Sequence, residues 1–270
     1  MIHLHSAMNI SMPLISPLSR KYFNYAQEKE NRKHYRAEDI RICIEYICDE
    51  IVYEFVSETD KGKWNDYDLH DKLTTSKQFM DKTVVNRLIK AKTVGNKGVH
   101  KGEEGKYTEA NIEKAIEAVR EFSLEVFVAY FKHNGFGIVT NSWMPTAFST
   151  LPPVYRVVIL KRYYASDNSI IVIDKLSKAY TKAGLGDEAN EFLKECYDKK
   201  ELDMEQYGVL LNDVELLKRN LDKLPIANDL ETAKNNFNSL IEVIPEENRD
   251  SFICLISTIL NGYSGTNKSK

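Results

Sequence analysis

Between Lys82 and Lys106 seven basic side chains (Lys82, Arg87, Lys90, Lys92, Lys97, Lys101 and Lys106) stand against two acids, Glu103 and Glu104, a local excess of +5. Phosphate contacts need such an excess of cations. The same stretch holds His100, a side chain that moves a proton near neutral pH. Cleaving RNA without a metal takes a base for the 2′-hydroxyl, an acid for the leaving oxygen and cations around the pentacoordinate phosphate. His100 fits the first or second role, and two copies across a dimer fit both. Lys92, Lys97 or Arg41 fits the third, and Glu45, one helical turn after Arg41, is placed to orient its guanidinium. Lys92, Lys97 and Lys101 are the candidate nucleic-acid contacts. The plainer reading is a solvated basic helix face, a capping or core-edge imidazole, and an ordinary surface pair at Arg41 and Glu45.

The elements that must position these groups read as helices. The chain has 270 residues but only 12 Gly and 7 Pro, so breakers are sparse. Ile40, Ile44, Ile47, Ile51 and Phe55 recur at steps of four, three, four and four, one face of a helix. A second helix is expected from about Thr108, a fitting N-cap, to His133, with Ile112, Ala115, Ile116, Val119, Phe122, Val126 and Tyr130 as its apolar stripe. Weaker patterns cover about Asp68 to Met80 and Lys82 to Val94. The glycines Gly95, Gly98 and Gly102 then mark a loop that brings backbone close to a partner.

Gly135, Gly137 and the Asn-, Ser-, Thr- and Pro-rich stretch after them place a boundary, giving regions 1–137 and 138–270. The first carries 21 basic and 21 acidic side chains, and the remainder of the 37 and 40 falls in the second, net −3. The second region reads as paired helices at about Val154–Ala165, Ile170–Ala183, Asp187–Lys199, Met204–Leu221, Leu230–Ile244 and Asn248–Leu260. Leu176, Tyr180, Gly184 and Ala189, then Ala233, Phe237 and Pro245, weakly resemble tetratricopeptide hairpins. The two alanines lie 44 residues apart, against a repeat of about 34, so a generic stack of helical hairpins is the competing reading. Either arrangement suits the gripping of a protein partner.

Residues 36–133 carry a further resemblance. The helix Arg41-Ile-Cys-Ile-Glu45, the Gly95-Asn96-x-x-x-His100 turn and the helix from Glu109 with Ala115 and Val119 resemble the HEPN-type helical domain, found alone or as an accessory of type I restriction subunits. The resemblance implies an up-and-down helical bundle, often dimeric, in a prokaryotic defence or nucleic-acid-associated system, and many such domains are metal-independent ribonucleases. It marks His100, Asn96, Arg41 and Glu45 as the candidate catalytic set. The catalytic form of that superfamily has an Arg a short step before its His; here the matching places are Thr93, Val94 and Gly95, and Lys92 is one residue too far. Lysine is also a poorer bidentate phosphate clamp than arginine.

The expected class is all-α: an N-terminal HEPN-like bundle followed by stacked helical hairpins. The leading expectation is an interaction module, non-catalytic or weakly catalytic. The alternatives are a metal-independent endoribonuclease using His100 and a purely structural protein-binding adaptor. Expected partners are RNA or another nucleic acid, a protein held by the C-terminal helices, and a second copy of the chain. No cofactor and no metal are expected, because no phosphate-binding loop, dinucleotide fingerprint, nucleophile elbow or zinc motif occurs. No apolar run reaches the ~18–20 residues of a membrane span, and the opening Met-Ile-His-Leu-His-Ser lacks a signal pattern, so no membrane contact and a cytoplasmic place are expected. Cys43, Cys48, Cys196 and Cys254 read as free thiols.

Overall fold

The computed structural model describes residues 17–99, 107–137 and 141–260; 81% of them are helical and none lies in a strand. The all-α expectation holds. The described chain forms two compact units, residues 17–133 with 247–260, and residues 134–246.

The first unit contains α1 (Pro17–Gln27), α2 (Lys33–Ile47), α3 (Glu58–Lys61), α4 (Leu69–Thr75), α5 (Lys82–Val99), α6 (Glu109–Asn134) and α13 (Glu246–Leu260). Helix α2 packs between α1 and α5. Its isoleucines Ile40, Ile44 and Ile47 are buried, and so is Ile51 just beyond its end, as their spacing requires. The axis continues past Ile47 through a π-helical turn, Cys48–Val52, to Phe55. Phe55 meets Phe79 and Tyr130 at ring-centroid separations of 5.6 and 5.9 Å. Helix α6 begins where Thr108 caps it: the Asn111 amide donates to Thr108 Oγ1, and Asn111 Oδ1 accepts from the Thr108 amide at 2.8 Å. Its stripe of Ile112, Ala115, Ile116, Val119, Phe122 and Val126 is buried. Burying a residue of this size contributes about 1.5–3 kcal/mol.

Two expectations need correction here. First, the C-terminal region 138–270 is not one unit. Helix α13 belongs with the N-terminal bundle, where Phe252, Leu255, Ile256 and Ile259 are buried and Phe252 lies 5.7 Å from the Tyr130 ring. An apolar face of that size must be covered, and the first unit supplies the cover. Second, the glycine-rich segment is not a loop as far as Val99: α5 runs unbroken through Gly95 and Gly98. His100 and Lys101 lie outside the described residues.

The second unit contains α7 (Trp143–Phe148), α8 (Pro153–Tyr164), α9 (Ile170–Lys182), α10 (Gly186–Asp198), α11 (Met204–Asn220) and α12 (Leu230–Leu240). From α8 to α11, consecutive helices pack on one another. Pro153 opens α8, where its missing N–H costs nothing. Asp203 and Gln206 form a reciprocal capping box at α11, and Asp229 caps α12. Helix α9 ends in a Schellman motif: Gly184 takes φ +80°, Leu185 N–H donates to Tyr180 O, and Gly184 N–H donates to Thr181 O. Ala189 and Ala233 are fully buried, which fits small residues at close helix crossings. Trp143 opens α7 and is buried.

Candidate functional site

Helix α5 carries the basic residues, and its geometry sorts them. At about 100° per residue, Lys90 and Lys97 share one flank, with Arg87 beside it. Lys92 falls on the far side of the helix from Lys90. There it approaches Asp68, the N-cap of α4, whose carboxylate is held below its usual range mainly by the Asp71 amide, with Lys92 adding to the effect. The cations read as one strip from the sequence are therefore divided between two flanks.

On the flank of Lys90 a groove of about 400 Å³ lies between α5 and α6. Its apolar lining is Ala91, Val94, Ala115 and Ala118; three alanines facing one another leave the space unfilled. Above them stand Arg87 and Lys90 from α5 and Asn111, Lys114, Glu117 and Glu121 from α6. Both acids are neutralised by arginines: Glu121 pairs with Arg87, and Glu117 with Arg120 at 2.6 Å. Lys90 and Lys114, on opposite walls, have no ion pair among the described residues. The groove thus presents two uncompensated positive charges over an apolar lining.

Arg36 fixes the wall that α6 provides. It is 1% exposed, and its Nε donates to the Ala26 carbonyl at the end of α1 at 2.7 Å. Its Nη atoms bind Glu109 and Glu113 in the first turns of α6, the second at 2.9 Å. One buried guanidinium therefore joins α1, α2 and α6. Arg120 adds a second tie, donating to Gln27 Oε1 at 3.2 Å.

The sequence-derived catalytic set is only partly assembled. Arg41 and Glu45 form the expected pair at 2.9 Å, partly exposed. Arg41 also lies against Gly95, so Asn96, the next residue of α5, is brought to its neighbourhood. Asn96 is a half-buried residue of a continuous helix and not part of a turn at this point. Of the candidate nucleic-acid contacts, Lys97 lies on the flank of Lys90, Lys92 on the other, and Lys101 is not described. Lys90, Arg87 and Lys114 line the groove; Lys114 and Asn111 escaped the sequence reading because they belong to the next helix. Their signal was present, however: Asn111, Lys114 or Ala115, Ala118 and Glu121 recur at steps of three and four along one side of α6.

Among the described residues no three His, Cys, Asp or Glu side chains converge on a metal position. No described helix is long and apolar enough to cross a membrane. Cys43, Cys48 and Cys196 are buried free thiols and Cys254 is a half-buried one. Burial raises all four, Cys196 to about 11 and Cys254 to about 12, which leaves them poor nucleophiles. Compared with family models, with curated proteins and with solved structures, the chain matches none.

Proposed function

We propose that the chain is a non-catalytic interaction module whose α5–α6 groove holds the backbone of a nucleic acid, single-stranded RNA in particular. The observation that supports it most is the pair Lys90 and Lys114, uncompensated on opposite walls of a groove whose acids are already neutralised. Backbone contacts of this kind position a strand without reading its sequence. The lining is alanine and valine rather than aromatic, so it gives bases no stacking platform, and binding is moderate and sequence-tolerant. The hairpin stack of the second unit is the proposed seat for a protein partner. By its HEPN-like resemblance, a prokaryotic defence or nucleic-acid-associated system is the proposed setting of such a module, with dimerisation and a cytoplasmic place as further parts of the proposal.

The ribonuclease reading gains no support from the described residues. Asn96 is helical, Arg41 is engaged by Glu45, and no arginine stands where the catalytic form of the superfamily has one. A test is retention of labelled single-stranded RNA by the wild type and by Lys90→Glu/Lys114→Glu at low salt, with strand integrity followed in EDTA. The proposal expects retention without cleavage in the wild type and loss of retention in the double variant.

A further inference from the structure

Among the described residues two arginines are buried, and only one is satisfied. Arg36 has a carbonyl and two carboxylates. Arg156, 6% exposed on α8, has no hydrogen bond and no ion pair among the described residues, and its Nε is sealed from solvent without a partner. It does not sit at a helix edge. Pro153, Ile159 and Leu160, its neighbours along the same face, are all buried, as is the adjacent Val157. An apolar side chain of similar volume would fill that position without the desolvation cost of a lone guanidinium. Buried polar groups without partners are rare in folded proteins, and each one calls for a physical reason.

The neighbouring helix supplies a second observation. Helices α8 and α9 pack as a hairpin, which sets Arg156, eight residues before the end of α8, level with the C-terminal half of α9. There Lys175, Lys178 and Lys182 form a stripe at steps of three and four. Lys178 binds Asp174 at 2.6 Å and Asp213 of α11 at 2.9 Å, and Lys175 binds Asp174 at 3.5 Å. Lys182 has no ion pair among the described residues. Four cations against Asp174 and Asp213 leave +2, and the two unmatched groups are Arg156 and Lys182. Lys182 is held below the usual lysine range, first by burial and then by the positive charge of Arg156.

We infer that Arg156 and Lys182 form a binding site for a phosphate-bearing small molecule on the α8–α9 hairpin. A phosphoryl group carries the two negative charges this corner lacks, and its oxygens match the fork of a guanidinium, with the lysine as a point charge beside it. The site lies in the second unit and is independent of the α5–α6 groove.

The test uses the full chain, with thermal unfolding and titration calorimetry in sodium phosphate, in a nucleoside monophosphate, in sodium malonate and in sodium chloride, all at matched ionic strength. Phosphate is expected to raise the Tm of the wild type in a saturable way, and chloride is not. Arg156→Met should lose the phosphate effect while unfolding, without phosphate, no earlier than the wild type. Lys182→Met should weaken phosphate binding by about tenfold or more, the equivalent of one charge-assisted hydrogen bond, and it carries the test if Arg156→Met does not fold. Binding of the nucleoside monophosphate assigns the site to a phosphate ester; binding of inorganic phosphate alone assigns it to the free ion; either supports the inference. The absence of a saturable shift overturns it, as does an equal shift in both variants or tighter binding of malonate than of phosphate. Lys90→Glu/Lys114→Glu should keep the phosphate effect, so failure of the groove and failure of this site are read separately.

Discussion

Gly95 lies directly against Arg41: a Cβ added at position 95 would stand 2.6 Å from Arg41 Cβ and 3.0 Å from the Ala37 carbonyl oxygen. One turn on, a Cβ at Gly98 would stand 2.7 Å from both Ala37 Cβ and the His34 carbonyl oxygen. The two glycines are therefore the seam along which α5 approaches α2. Gly98→Ala gains about 1 kcal/mol of helix propensity but forces two backbones apart, an overpacking that costs about 1–3 kcal/mol and more where backbone is met. Denaturant unfolding should show a net loss of about 1–2 kcal/mol. Gly208→Ala in α11, where nothing lies within 4 Å, is the control and should gain about 0.5–1 kcal/mol. A stabilised Gly98→Ala would remove the seam from the account.

Arg36→Met should lower stability by about 2–4 kcal/mol, since it strips a buried carbonyl of its donor and two carboxylates of their cation. Glu113→Gln removes one of three partners and should cost about 1 kcal/mol or less, because Glu113 is half exposed. Chemical denaturation of the two variants checks the ordering; equal losses would contradict it.

Much of the fold is legible in the sequence, and the failures have physical reasons. The isoleucine stripe of α2, the Thr108 cap of α6 and the helices from α8 to α12 are local patterns, and local periodicity reports them. The extension of α5 is not local. Glycine in a helix is unfavourable until a second helix comes close enough to require it, and that helix is α2, more than fifty residues earlier. Arg36 is opaque for the same reason, since Glu109 and Glu113 lie 73 and 77 residues away. Helix α13 reads as one more hairpin arm because nothing in its sequence names Tyr130 as its neighbour. The groove escapes because alanine serves equally as a helix former and as the small residue that leaves a space; only the pairing of α5 with α6 decides.

Lys200 adopts φ 62° at the end of α10, completing a Schellman motif in which Glu201 N–H donates to Cys196 O and Lys200 N–H to Tyr197 O. A left-handed residue with a Cβ is strained there. Lys200→Gly should raise stability by about 0.5–1 kcal/mol in thermal or urea unfolding, and Lys200→Val should lower it.

Asp39 on α2 is raised from the ordinary carboxylate value to about 6, chiefly by burial and then by Glu38 and Glu28. Between about pH 4 and 6 the folded chain holds this proton more firmly than the unfolded chain, so stability falls as pH rises through that window. Asp39→Asn should flatten that part of the profile and leave the variant more stable than the wild type at pH 7, with the difference vanishing near pH 4. An identical pH profile for the two proteins would contradict the assignment.

The groove is tested most directly by the salt dependence of RNA binding. Each phosphate neutralised on a single strand contributes a slope of about −0.7 in log affinity against log salt. With Lys90 and Lys114 engaged, the wild type should bind labelled single-stranded RNA with a slope of at least about −1.4, indifferent to sequence and leaving the strand intact in EDTA. Lys90→Glu/Lys114→Glu should abolish retention, whereas Lys92→Glu, on the far flank of α5, should leave it nearly unchanged. Binding that survives the double variant, or that is lost with Lys92→Glu alone, would contradict the groove as the nucleic-acid site.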